Sequence, residues 1–253
     1  MVTVREITML LAFSLTLVLT LTPFVACRPQ VRRVQAVDRV PVGSSLSQSE
    51  YDDLRRLLVN ETRVESVYRS SVHGSSYSNM LRRVNTKDGL VFLIRKDDYV
   101  FGAFVGTGLY LPAVPEDYRV YWSGETWHFS LAGHFSNATK IPVDERRRYI
   151  EVAGRKASGV GANVVVGGRL WLGYGGLDRP SGQDRPAADI RRCLQYITKD
   201  RVPAGYVGVR DAYGDGVFGG NGTFVADELE VLHVVRYEIE LMSVAGVEQV
   251  NMP

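Results

Sequence analysis

The chain has 253 residues, 45% hydrophobic, 23% charged and 10% aromatic, with a formal net charge of +2. Those proportions describe a globular protein and exclude disorder, a collagen repeat or a coiled coil for its bulk. Of the two cysteines, Cys27 closes a hydrophobic run, so the folded part owns only Cys193. It can hold neither an internal disulfide nor a cysteine-built metal site, which fits a reducing compartment better than an oxidising one.

The uncharged run from Ile7 to Cys27 is 21 residues long. At ~1.5 Å per residue a helix of that length crosses a hydrocarbon core of ~30 Å. Residues 1–27 therefore read as a hydrophobic helix, either a signal-anchor or a cleaved signal peptide, with a mis-assigned start codon as a third reading. Arg28, Arg32, Arg33 and Arg39 follow the run against the single acid Asp38. The positive-inside rule then places the downstream domain in the cytosol and Cys27 at the cytosolic edge, where palmitoylation is plausible chemistry. Three sequons, at Asn60, Asn137 and Asn221, favour the alternative of a lumenal or secreted domain.

Residues 28–46 mix arginine, proline, glycine and serine without a period and read as a linker. Ser47 and Glu50 form a capping box, and Tyr51, Leu54, Leu57 and Leu58 make one stripe, predicting a helix over 47–59. A strand is expected over Val64–Ser70, a turn at His73–Ser76 and a short helix over Ser76–Val84. Two apolar runs, 90–94 and 99–105, flank the polar Lys96-Asp97-Asp98 and predict a β-hairpin, with Gly102 marking a bulge or a close backbone approach.

Further strands are expected at Tyr118–Trp122, Thr126–Leu131, Tyr149–Ala153, Ala162–Val166, Arg169–Tyr174, Tyr206–Val209 and Phe224–Val235. Ile190, Leu194 and Ile197 predict a second helix over Ala187–Thr198. Strands that meet without intervening helices give an antiparallel sheet and an α+β class.

Catalytic motifs do not emerge. His73, His128, His134 and His233 include no i, i+4 pair, and no G-x-S-x-G elbow is present. Lys156-Ala157-Ser158 lacks the glycine loop of a phosphate-binding motif. Asp211–Gly216 lacks the calcium-ligating residues of an EF-hand, with Tyr213 third and Gly222 twelfth in the loop. The arginine clusters are spread over separate elements and read as solvated faces rather than a nucleic-acid surface.

Four blocks in order resemble the TLDc domain of the eukaryotic oxidation-resistance proteins. They are 67–77 with His73-Gly74-Ser75, 90–104 ending in Phe101-Gly102-Ala103-Phe104, 121–131 with Gly124-Glu125 before an aromatic strand, and 222–232 with Phe224 and Glu230. The family's glycine-rich run is reduced to Gly167-Gly168. The likeness spans 47–235, with an insertion at about 178–202 and a C-terminal strand or tail at 236–253.

The resemblance implies a mainly antiparallel two-sheet β-sandwich flanked by a few helices. It also implies a non-catalytic interaction module without cofactor, nucleic acid or identified small-molecule substrate, acting in protection from oxidative stress or on the vacuolar proton-pumping ATPase. Glu125 and Glu230 are expected either to accept hydrogen bonds from nearby turns or to act as interaction or polar-network residues, and Gly102 and Gly124 to serve the backbone. The alternative is an enzyme, a hydrolase or a thiol-dependent peroxide-handling protein using Cys193.

Overall fold

A computed structural model describes residues 39–58, 62–176 and 185–236. The run Ile7–Cys27, its lipidation site Cys27 and the tail beyond Arg236 lie outside the described residues. Among the described residues no helix is long and apolar enough to cross a membrane.

Helix α1 spans Gln48–Leu57 and carries the capping box in full, with Ser47 and Glu50 satisfying each other's backbone N–H. Strand β1 (Thr62–Arg69) runs into a one-turn helix, α2 (Ser70–His73). Helix α3 (Tyr77–Val84) follows, capped by the Ser76 side chain on Asn79 N–H. The hairpin is β2 (Leu90–Lys96) and β3 (Tyr99–Val105). Then come β4 (Tyr118–Trp122), β5 (Thr126–Ala132), β6 (Thr139–Pro142), β7 (Tyr149–Ala153), β8 (Val164–Val166) and β9 (Leu170–Leu172). The described part closes with β10 (Arg192–Gln195), β11 (Thr223–Val225) and β12 (Glu228–Arg236).

These strands make two antiparallel six-stranded sheets. The first has the order β1-β12-β2-β3-β5-β6 and the second β11-β10-β9-β8-β7-β4. Alternation sorts the side chains by layer. Phe92, Ile94, Phe101 and Val231 of the first sheet meet Ile150, Val152, Val164 and Leu172 of the second, all essentially fully buried. The opposite face of the first sheet, with Val91, Leu93, Phe104 and Phe129, lies under Tyr51, Leu54 and Leu58 of the α1 segment. β2 is therefore covered on both sides, which explains its unbroken apolar run. No such helix covers the outer face of the second sheet among the described residues.

Three expectations require correction. Ala187–Thr198 is not a helix. β10 occupies its middle, pairing Cys193 with Leu172 on one side and Phe224 on the other. Cys193, Gln195 and Ile197 are the buried set, a period of two, while Leu194 is only half-buried, so the helical stripe was coincidental. Tyr206–Val209 is a loop whose Tyr206 hydroxyl donates to the Val209 carbonyl (2.7 Å). The long run Phe224–Val235 divides between the sheets: β11 ends at Val225, Ala226-Asp227 crosses over, and β12 sits centrally in the first sheet. Asp227 fixes the crossover, accepting the Asp97 N–H at 2.7 Å. The edge strand β6 was not foreseen. It is polar and ends in Pro142, as suits an edge.

Candidate functional site

The densest polar cluster joins the first sheet to the segment that crosses its outer face. Glu228 and Glu230, two apart on β12, point the same way. Glu230 is fully buried. Its Oε2 accepts from Ser45 N–H (2.8 Å) and the Ser45 hydroxyl (2.6 Å), and its Oε1 accepts from the Ser66 hydroxyl (2.6 Å). Glu228 accepts from the Ser70 hydroxyl (2.5 Å), Ser71 N–H (3.0 Å), the Ser71 hydroxyl and the Arg69 guanidinium (2.9 Å). Burial pulls the Glu228 carboxyl upward, but these donors outweigh it and hold the group below its ordinary range.

Arg95, directly opposite Glu228 in the ladder, donates to the Ser45 carbonyl (2.7 Å) and to Glu50 (2.5 Å). Arg69 also reaches the Gly43 carbonyl (3.0 Å). The segment before α1, read from the sequence as linker, is thus docked from Gly43 onward, and Leu46 is buried beneath it. Both oxygens of each carboxylate accept from structural donors, so the cluster acts as a clasp. Glu230→Ala strands the Ser45 and Ser66 donors. It is expected to cost about 3 kcal/mol in urea unfolding and to expose the chain before α1 to protease.

The other sequence-derived positions distribute over separate places. His73 Nδ1 accepts from Arg69 N–H (2.9 Å), and its ring stacks on Tyr68. Gly74, at φ +80°, turns the chain there, its carbonyl accepting from the Tyr68 hydroxyl (2.8 Å). The Ser75 carbonyl accepts from Ile190 N–H, tying this turn to the second sheet. Phe101 and Phe224 meet edge to face at 5.9 Å between the sheets, with Phe218 beside them. Glu125 contributes its main-chain carbonyl, accepting from Gly106 N–H at 2.7 Å.

Gly102 is a real close approach, with a bulge beside it between Val100 and Phe101. Gly124 is not: nothing lies within 4 Å of the position a Cβ would take, and its φ is not positive. The expectation of a backbone requirement there is corrected. Gly167 and Gly168, at φ +60° and +62°, are the central pair of a type I′ turn closed by Arg169 N–H on the Val166 carbonyl (3.1 Å).

Cys193 is fully buried in β10, not on a helix, and its thiol faces the Arg191 carbonyl (3.2 Å). Burial pushes the thiol pKa up, the reverse of what a nucleophilic cysteine needs. No group of three or more His, Cys, Asp or Glu side chains able to hold a metal occurs among the described residues.

Sequence reasoning passed over Glu228, Ser70, Ser71, Arg69 and Arg95. The signal was the spacing of the two glutamates, which puts two carboxylates on one face of a central strand and demands donors nearby.

The described part is thus an antiparallel double sheet, clasped on the outer face of its first sheet through Glu228 and Glu230. The chain belongs to the TLDc domain family, whose model matches residues 43–172, just over half the length. The match begins at Gly43, where the clasped segment begins, and ends with β9. β10 to β12, with Phe224 and Glu230, lie beyond it. No curated protein matches the chain.

Proposed function

We propose that the protein is a non-catalytic TLDc interaction module that binds a membrane-bound protein complex, with the vacuolar proton-pumping ATPase as the partner and oxidative-stress protection as the outcome. Family membership supports the class of module. The observation that carries an interaction role is strand β4, at the edge of the second sheet. Tyr118, Val120 and Trp122 lie on one side of it, exposed by 52%, 51% and 54%. Three large apolar side chains in a row on an unpaired edge are the arrangement to which an extended partner segment adds a strand. The buried, proton-holding Cys193 speaks against the thiol-enzyme alternative.

Affinity capture with the full chain, under conditions that keep the pump assembled, is expected to recover its subunits. A Val120→Asp/Trp122→Ser double variant is expected to lose them while melting as the parent does. Recovery of none by the parent chain overturns the pump reading, and equal recovery by the variant overturns the role of β4.

The reading places the domain in the cytosol, tethered through Ile7–Cys27. Asn137 and Asn221 are both exposed and would accept a glycan in a lumenal domain. They are expected to stay unmodified in cells, and a mass shift removed by glycosidase would reverse the topology.

A further inference from the structure

Between the sheets, at the end formed by the β8–β9 turn and the link from β6 to β7, lies a cavity of about 30 Å³. That is room for roughly two water-sized atoms. His128 of β5 reaches it from the first sheet. The residue is 3% exposed, and its Nε2 is buried without a hydrogen-bond partner. Buried ring nitrogens are almost always satisfied, so an orphan aimed at a cavity points to an occupant.

Gly167 keeps the space open. A Cβ on this residue would stand 3.2 Å from His128 Nε2 and 3.3 Å from the Val143 side chain. The motif glycine therefore serves the cavity as well as the turn.

The walls supply the sign of the occupant. Arg147, Arg169 and Arg201 line the cavity together with a single acid, Asp144. Asp144 is engaged by Arg201 at 2.7 Å. Arg169 lies over the Tyr196 ring, 4.7 Å from its centroid. Among the described residues neither Arg147 nor Arg169 has a carboxylate partner. A water would satisfy His128 but leave the half-buried guanidinium of Arg169 without an anionic partner, with the exposed Arg147 adding positive charge at the mouth. A carboxylate answers both, accepting from Nε2–H and neutralising the arginines.

We propose that this cavity is a carboxylate-binding site, in which His128 Nε2–H donates to one oxygen and Arg147 and Arg169 hold the other at the mouth. It is independent of the β4 edge and of the identity of the pump partner. The carboxylate comes either from an acidic side chain of a bound polypeptide or from a free small acid.

The test uses the full chain with 15N-labelled histidine, followed by NMR at fixed ionic strength. Sodium formate is expected to shift His128 Nε2 saturably, with a Kd on the order of 1 mM. Sodium chloride is expected not to do so. Arg169→Gln should weaken the response about tenfold, and Arg147→Gln, on an exposed side chain, gives the same reading should the first variant misfold. An acetylated hexapeptide with one central glutamate, compared with its glutamine counterpart, separates the sources. A shift by the glutamate peptide assigns the site to a polypeptide, and a shift by formate alone assigns it to a free acid. No shift with formate or with the glutamate peptide, an equal shift with chloride, or undiminished binding in both arginine variants overturns the proposal.

Discussion

Gly102→Ala is expected to destabilise the domain by about 3 kcal/mol or more. The added Cβ would overlap the Phe92 carbonyl oxygen of the paired strand and stand 2.9 Å from the Phe129 ring. Phe92 is main chain in the centre of a sheet buried on both faces, so relief requires separating β2 from β3 rather than rotating a side chain. For a domain of this size the loss lowers Tm by roughly 6–12 °C. The companion substitution, Gly124→Ala, meets open space at a non-positive φ. It is expected to change stability by less than about 1 kcal/mol, toward stabilisation, because alanine restricts the unfolded chain. Thermal melts of the two variants side by side check both, and similar losses would refute the steric account.

Stability is also expected to fall steeply between about pH 6.5 and pH 4. His128 and His134 are both held neutral, their pKa values pushed down to about 4. For His128 the cause is burial, with the Arg169 charge adding to it. For His134 it is burial, partly opposed by the bond to the Phe218 carbonyl. That carbonyl can only accept, so Nε2 carries the proton and Nδ1 faces the Ser130 hydroxyl (2.8 Å). An unfolded histidine titrates near 6.5. Between the two values the unfolded chain binds more protons than the folded one, so stability rises with pH and is lost on acidification. Each histidine contributes on the order of 3 kcal/mol across the window, against a total of about 5–15 kcal/mol for a typical domain.

The carboxylates held low, Glu50, Asp189 and Glu228, act in a separate window. Burial raises each, but bonds from Arg95, Arg191 and the Ser70–Ser71 pair outweigh it. Their contribution is present above the ordinary carboxyl range and disappears below it. Urea unfolding at pH 7, 5.5 and 4.5 checks the histidine part, and a flat profile across those three values would contradict it.

The elements legible in the sequence were those whose pattern is local. The capping box at Ser47 and Glu50, the stripe of α3 and the hairpin around Asp97-Asp98 each carry their own start, face and stop within a few residues. β10 was hidden because a strand paired on both sides by distant residues need not look like one. Its partners at Leu172 and Phe224 decide it, and no window around Cys193 contains them. The division of Phe224–Val235 was hidden for a similar reason. Ala226-Asp227 is no stronger a turn signal than many strand interiors, and the change of sheet is set by Asp227 gripping the β2–β3 turn.

Site residues followed the same rule. Phe101, Gly102 and the Gly167-Gly168 pair explain themselves by size and φ. Glu230 was singled out without its donors, because Ser45 stands 185 residues away in the chain. His128 falls in the strand expected over Thr126–Leu131, but the cavity at its Nε2 is lined by Val143, Gly167 and Arg169, which no window around it contains.

The central place of β12 governs how this protein must be made. β1 and β2 flank it in the first sheet, yet both are complete by Lys96, about 140 residues before β12 ends at Arg236. At ~5–20 residues per second the ribosome takes roughly 7–28 s to cover that distance. Throughout that interval the apolar β2 and the amphipathic β1 present open edges, and the Ser45 segment has no Glu230 to fasten to. The nascent chain is an aggregation hazard until β12 emerges, so chaperone demand during synthesis is written into the strand order.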